Sequence, residues 1–154
     1  MSVDFMRQAV ALALENIQSG GGPFAAVIVK DGSVVASGAN RVTASNDPTA
    51  HAEVEAIRAA CRRLGSFQLD GCELYTTCEP CPMCLGAVYW SRLERVFYAA
   101  TAADAAQAGF DDAFIYRELA VPPEGRRIPM ARLAAEEARA VFAAWQAKPD
   151  KTPY

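Results

Sequence analysis

Two short motifs constrain the fold of this chain more than anything else in it. His51-Ala52-Glu53 holds the only histidine of the 154 residues, and Pro80-Cys81-Pro82-Met83-Cys84 supplies two thiols. One imidazole and two thiolates make three zinc ligands, the number a catalytic zinc keeps while leaving its fourth position to water. Cys81 and Cys84 stand at i and i+3. Pro82 is favoured at the first position of a helix, so Cys81 is the expected N-cap of a helix over 82–91. There both sulfurs meet the positive end of the helix dipole, which favours the thiolate. His51 opens a second predicted helix, running to about Leu64. Residues two apart on a helix point to nearly opposite sides. His51 and Glu53 therefore share a site only if it lies off that helix's N-terminus. The fold must bring two helix N-termini to one point.

The rest of the chain supplies a frame for such a meeting. Met6, Val10, Ala13, Leu14 and Ile17 fall at helical spacing and predict an amphipathic helix over 3–18. Ser19-Gly20-Gly21-Gly22-Pro23 ends it. Residues 26–30 and 33–37 read as strands around the hairpin signal Asp31-Gly32, and 40–47 as polar loop. The face expected to be buried on the 51–64 helix is Val54, Ile57, Cys61 and Leu64. Further strands are predicted over 73–77 and 95–99, and an alanine-rich helix over 131–147. Strands alternating with helices, with an antiparallel first pair, predict an α/β layered fold on a mixed sheet. Two stretches do not look like ordinary packing. One is the connection 101–116 with its acids Asp111 and Asp112. The other is the tail after Leu119, where Pro122-Pro123 reads as a stiff extended spacer.

Composition narrows the class. Hydrophobic residues are 52% and charged residues 21%, enough apolar material for one core. Net charge is −3, which argues against phosphate contact as the main source of affinity and so against nucleic acid as partner. No apolar run approaches the roughly 18–20 residues of a membrane span. The polar start gives no secretion signal. Five cysteines are an odd number, so thiols in a reducing compartment, the cytoplasm, are expected.

The pattern His-x-Glu followed by Pro-Cys-x-x-Cys marks zinc deaminases of nucleobases, with the glutamate as acid/base rather than ligand. The longer segments Asn46-Asp47-Pro48-Thr49-Ala50-His51-Ala52-Glu53 and Thr77-Cys78-Glu79-Pro80-Cys81-Pro82-Met83-Cys84-Leu85-Gly86-Ala87 resemble the cytidine/deoxycytidylate deaminase superfamily. Within it the chain is most similar to the small bacterial guanine deaminases, through Gly22-Pro23-Phe24, Ala108-Gly109-Phe110-Asp111-Asp112 and the terminal Tyr154. The likeness runs over nearly the whole chain. It implies a three-layer α/β/α domain spanning 1–154, with a mixed sheet of about five strands. It also implies a homodimer in which residues 120–154 are exchanged. One zinc ion per chain would be held by His51, Cys81 and Cys84, with Glu53 as the proton shuttle. Asn40 would contact a small purine base, Phe24 would stack on it, and Trp90 would be a further pocket wall. Asp112 and Tyr154 would meet the amino edge of the base.

Part of this follows from chemistry alone. Guanine presents an N1–H and a 2-amino group side by side, and a carboxylate accepts two such bonds with good geometry. Plainer readings stand beside each role. Asp111 and Asp112 suit a solvated turn, Asn40 a turn ending the second strand, and Phe24 and Trp90 an ordinary core. Cys78 could close the zinc site as a fourth, structural ligand, which would make the chain a non-catalytic zinc module. Cys61 and Cys72 read as buried small hydrophobes. A tRNA adenosine deaminase carries the same two motifs but should show a basic surface. A cytosine, isocytosine or triazine deaminase would use the same zinc chemistry.

Overall fold

The computed structural model describes residues 2–154. In chain order, the first unit, which ends at Asp112, contains α1 (Val3–Gln18), β1 (Ala25–Lys30), β2 (Ser33–Ala39), α2 (Val42–Ser45), α3 (Ala52–Leu64), β3 (Cys72–Cys78), α4 (Pro82–Trp90), β4 (Arg95–Ala100) and α5 (Ala102–Gln107). The sheet order is β2-β1-β3-β4. β1 pairs antiparallel with β2 and β3, and β3 pairs parallel with β4 across α4. The sheet is mixed, as the hairpin signal at Asp31-Gly32 predicts.

Alternation along β1 divides the core. Val27 and Val29 face one layer with Ala9 of α1 and Tyr75. Ala26 and Ile28 face the other, with Ala52, Ala56 and Ala60 of α3 and Val88 of α4. Helices therefore cover both faces, giving the three-layer α/β/α architecture. The sheet has four strands among the described residues, one fewer than about five. Beyond β4 the chain turns at once into α5, fixed by a capping box between Thr101 and Asp104. That alanine-rich segment has little tendency to extend.

Two helices bury faces only partly as expected. On α1, Ala13 is buried and Met6 packs against the core, as the stripe predicts, but Ala9 is the other buried residue, while Val10, Leu14 and Ile17 are exposed. On α3 the buried residues are Ala52, Glu53, Ala56 and Ala60, with Ile57 and Cys61 only partly buried. In both, small side chains let the helix lie close to the sheet. Gly38 of β2 shows how close: a Cβ there would stand 2.4 Å from the backbone nitrogen of Ala56. Cys72 is buried in the same core, as expected. The loop expected over 40–47 contains the one-turn α2, ended by Asn46 in the left-handed region at φ 49°.

The second unit, from Ala113 to Tyr154, contains α6 (Ala113–Leu119), a 3-10 turn at Pro123–Gly125, and α7 (Ala135–Ala147). Pro122 has the extended geometry expected of the spacer (φ −53°, ψ 146°), but the 3-10 turn follows directly. Within this unit the Arg126 Nε donates to the Val121 carbonyl, and the Arg127 backbone N–H to Glu118. The last helix starts later than Ala131 because Ala134 is left-handed at φ 52°.

Candidate active site

The His51 and Cys81 motifs converge, with Phe24, Asn40 and Asp112, at one end of the sheet. β3 and β4 run parallel and finish there at Cys78 and Ala100. The antiparallel β1 begins there, with the Ala25 N–H donating to the Thr77 hydroxyl. β2 finishes there, and the Asn40 N–H donates to the Phe24 carbonyl. A crevice beyond the carboxyl ends of strands is where an α/β sheet binds its ligands. Here it is a cavity of about 550 Å³, lined among others by Phe24, Asn40, His51, Glu53, Cys78, Cys81, Phe110 and Asp112.

His51 is the N-cap of α3 and Cys81 the N-cap of α4, with Pro82 at the first helical position. The two helix N-termini meet as the spacing requires. His51 Nδ1 lies 3.5 Å from the Cys81 sulfur and 3.5 Å from the Cys84 sulfur. All three ligand atoms fall within 4.8 Å of one another, and among the described residues they form the group able to hold a metal. A tetrahedral zinc with ordinary bond lengths of about 2.05 Å to nitrogen and about 2.3 Å to sulfur separates those atoms by about 3.5 Å. The donor set and its spacing fit zinc.

Cys78 stands apart from that group. It is buried, and its thiol contacts the Thr101 carbonyl at 3.7 Å. Burial, with Glu53 and Asp112 nearby, pushes the thiol up to about 11, away from the thiolate a metal needs. The geometry therefore leaves the site with three protein ligands and an open position, the catalytic rather than the structural form.

The electrostatics follow from how closely these groups crowd. The hydrogen bond from the Cys84 thiol, joined by one from His51, draws Cys81 down to about 4. The same bond, burial and Glu53 push Cys84 up. The bond to Cys81 raises the His51 pKa, against burial. A metal needs both sulfurs as thiolates, so its binding would release any proton the pair retains. Glu53, on the first turn of α3, is only 6% exposed, and burial raises its pKa. Its Oε2 accepts from the Cys84 thiol at 3.4 Å. A buried carboxyl of raised pKa beside a metal site is suited to taking and returning protons.

The remaining candidates divide. Phe24 lines the cavity, edge-on to Phe110 with ring centroids 4.9 Å apart. Asn40 lines it too, and its Oδ1 also accepts the Val42 N–H at 3.2 Å, so it is a turn residue and a wall residue at once. Asp111 and Asp112 both line it, and burial, then Cys81, raises the Asp112 pKa. Trp90 ends α4 at 70% exposure and is not part of the cavity wall. Tyr154 belongs to the second unit and is 74% exposed. Sequence reasoning gave no role to Glu79, which lines the cavity and accepts the Ala102 N–H at 3.0 Å. Its position inside the cysteine motif was the available signal. Phe110 was read only as part of a motif.

Comparison with known proteins agrees with this geometry. Residues 2–100 match the model of the cytidine and deoxycytidylate deaminase zinc-binding region. The chain is 58% identical to guanine deaminase of Bacillus subtilis (strain 168), over 97% of each sequence. The X-ray structure of guanine deaminase from Bacillus subtilis superposes with a TM-score of 0.97, at 57% identity, covering 100% of this chain and 99% of that one. A tRNA-specific adenosine deaminase of Aquifex aeolicus is 46% identical over 62% of this chain and 64% of its own length. On fold, motif order and zinc-ligand geometry together, this chain belongs to the cytidine and deoxycytidylate deaminase family.

Proposed function

We propose that this chain hydrolyses guanine to xanthine and ammonia. The observation that carries the reading is the make-up of the cavity wall. Beside the metal ligands His51 and Cys81 it holds four carboxylates, Glu53, Glu79, Asp111 and Asp112, and neither lysine nor arginine. Such a wall repels a nucleotide or RNA phosphate and suits a neutral base rich in N–H donors. Likeness to a guanine deaminase over 97% of the chain supports the same substrate. By contrast, likeness to the Aquifex tRNA enzyme covers 62%.

The chain's own residues then divide the work. His51, Cys81 and Cys84 hold the zinc, which when bound lowers the pKa of water from about 16 to about 7. Glu53 takes a proton from the attacking water. A C2–O bond forms at the carbon bearing the 2-amino group. Glu53 passes that proton to the adjacent ring nitrogen, then carries the proton of the new C2 hydroxyl to the amine; C2=O forms as the bond from C2 to the exocyclic nitrogen breaks, and ammonia leaves. Asp112 accepts from the N1–H and 2-amino edge, Phe24 lies against the ring, and Asn40 donates to a purine acceptor. Closure of the cavity by Tyr154 excludes water.

The working unit is a homodimer, with residues 120–154 packed on the partner and Trp90 a wall of the partner's pocket. Two exposed apolar surfaces support this. One is the outer face of α4, with Tyr89 at 77% exposure beside Trp90. The other, in the second unit, includes Leu133 at 90% and Phe142. Patches of this kind mark interaction surfaces. Free thiols as metal ligands suit the reducing cytoplasm, and no helix among the described residues is long and apolar enough to cross a membrane.

Ammonia release from guanine, cytosine, isocytosine, a triazine and adenosine in a tRNA stem-loop tests the substrate. Guanine should exceed every other substrate in kcat/KM by about 10⁴-fold, the scale at which a site's unpaired polar groups reject an analogue. A stem-loop that matches guanine, with a steep loss of binding on adding salt, would point to the RNA enzyme.

A further inference from the structure

Asn16 belongs to none of the motifs, yet it joins two segments that build the cavity. It lies in the last turn of α1 and is half-buried. Its side-chain nitrogen donates to the Gly22 carbonyl at 2.8 Å and to the Asn40 carbonyl at 3.0 Å. A primary amide has two N–H groups, and both are spent here. The acceptors lie on the turn entering β1, which carries Phe24, and on the end of β2, which carries Asn40. The Asn16 backbone carbonyl also accepts the Gly21 N–H at 2.8 Å.

The glycines around it fit this clamp closely. A Cβ at Gly21 would stand 2.4 Å from the Asn16 amide nitrogen, and one at Gly22 would stand 3.0 Å from Asn40 Oδ1. A side chain at Gly21 would displace the Asn16 amide, and one at Gly22 would require Asn40 to give by a few tenths of an ångström. Asn40 Oδ1 accepts the Val42 N–H, a bond that orients the amide and leaves its Nδ2 hydrogens to donate to the base. Their direction is set by the backbone of residue 40, whose carbonyl Asn16 holds.

We propose that Asn16 is a positioning residue for base binding that acts through Asn40. The proposal rests on the reading of Asn40 as a contact to the purine. Asn16 does not touch the metal ligands or Glu53, so its loss should spare the chemical step. Binding of the base should weaken instead.

The test compares Asn16→Ala, Asn16→Asp and Asn40→Ala with the double variant Asn16→Ala/Asn40→Ala, measuring zinc content, melting temperature, kcat and KM. Asn16→Ala should raise KM by roughly 10-fold for two lost hydrogen bonds, with kcat within about 3-fold and zinc unchanged. Asn16→Asp keeps the size but turns oxygens toward two carbonyls, so it should bind the base no better than the alanine variant. In the Asn40→Ala background, removing Asn16 should cost less than about 3-fold, because coupled residues are not additive. Full additivity, an aspartate variant of wild-type KM, or a loss of kcat in step with zinc would overturn the proposal. Absence of guanine turnover by the wild-type protein would instead sink the substrate reading. The coupling would then be read on whichever base of the panel the protein deaminates.

Discussion

Replacing Glu53 by glutamine should separate catalysis from stability in opposite directions. Glutamine keeps the size of the side chain and an oxygen able to accept from the Cys84 thiol, which Glu53 contacts at 3.4 Å. It cannot carry protons, and positioned acid/base groups typically supply ~10²–10⁴-fold. Turnover of guanine should fall by that factor, with zinc content unchanged because Glu53 is outside the ligand group. Stability should move the other way. Burial raises the Glu53 pKa above its ordinary value of 4.5. The folded state therefore binds this proton more tightly than the unfolded state. Its contribution to stability is complete below the unfolded pKa and is lost as pH rises through the folded pKa. Above that pH, wild type carries a buried charge that glutamine does not. In metal-free protein, Glu53→Gln should melt higher than wild type at pH 7, and the gap should close on lowering the pH to about 4.5. The assays are metal content, kcat on the same preparation, and melting temperature at the two pH values. Zinc loss would make Glu53 a ligand, and wild-type turnover would make it a bystander. A variant less stable at pH 7 than wild type would refute the burial argument.

Cys78→Ser should keep one zinc per chain, measured by metal analysis, whereas Cys81→Ser and Cys84→Ser should each lose it; a metal-free Cys78 variant would mean that the site is closed by four ligands. Asp112→Asn should lower kcat/KM for guanine by ~10–150-fold, the worth of one charge-assisted hydrogen bond felt in the transition state. Its melting temperature should change little, since the residue lies outside both core clusters, and unchanged kinetics would move the role to Asp111 or to neither acid. Removing residues 152–154 should leave a folded, zinc-loaded dimer severely slowed on guanine, and full activity of that truncation would end the role given to Tyr154.

The zinc geometry was legible in the sequence because each step was local. Proline after Cys81 fixes a helix start, and the two-residue offset between His51 and Glu53 forces the site off the end of α3. The layering was legible for a similar reason, since the period of apolar residues separates helices from strands. The buried face of each helix was harder to read. Of the stripe read on α1, Ala13 is buried but Val10, Leu14 and Ile17 are not, because closeness of approach favours Ala9 and Ala13 against the sheet. On α3 the same preference, with Gly38 opposite, buries Ala52, Ala56 and Ala60. A fifth strand came from resemblance rather than from residues, and the capped, alanine-rich turn after β4 forms α5 instead. Asn16 was invisible because its partners are backbone carbonyls of the following turn and of the end of β2, for which sequence carries no pattern, whereas Glu79 was signalled only by its place inside the cysteine motif.

The account stands most directly on guanine turnover by metal-defined protein. The zinc-loaded enzyme should convert guanine to equimolar xanthine and ammonia. The same preparation stripped with a chelator should be inactive, and one equivalent of zinc per chain should restore it. No ammonia from guanine with zinc bound, or undiminished turnover after stripping, would contradict it.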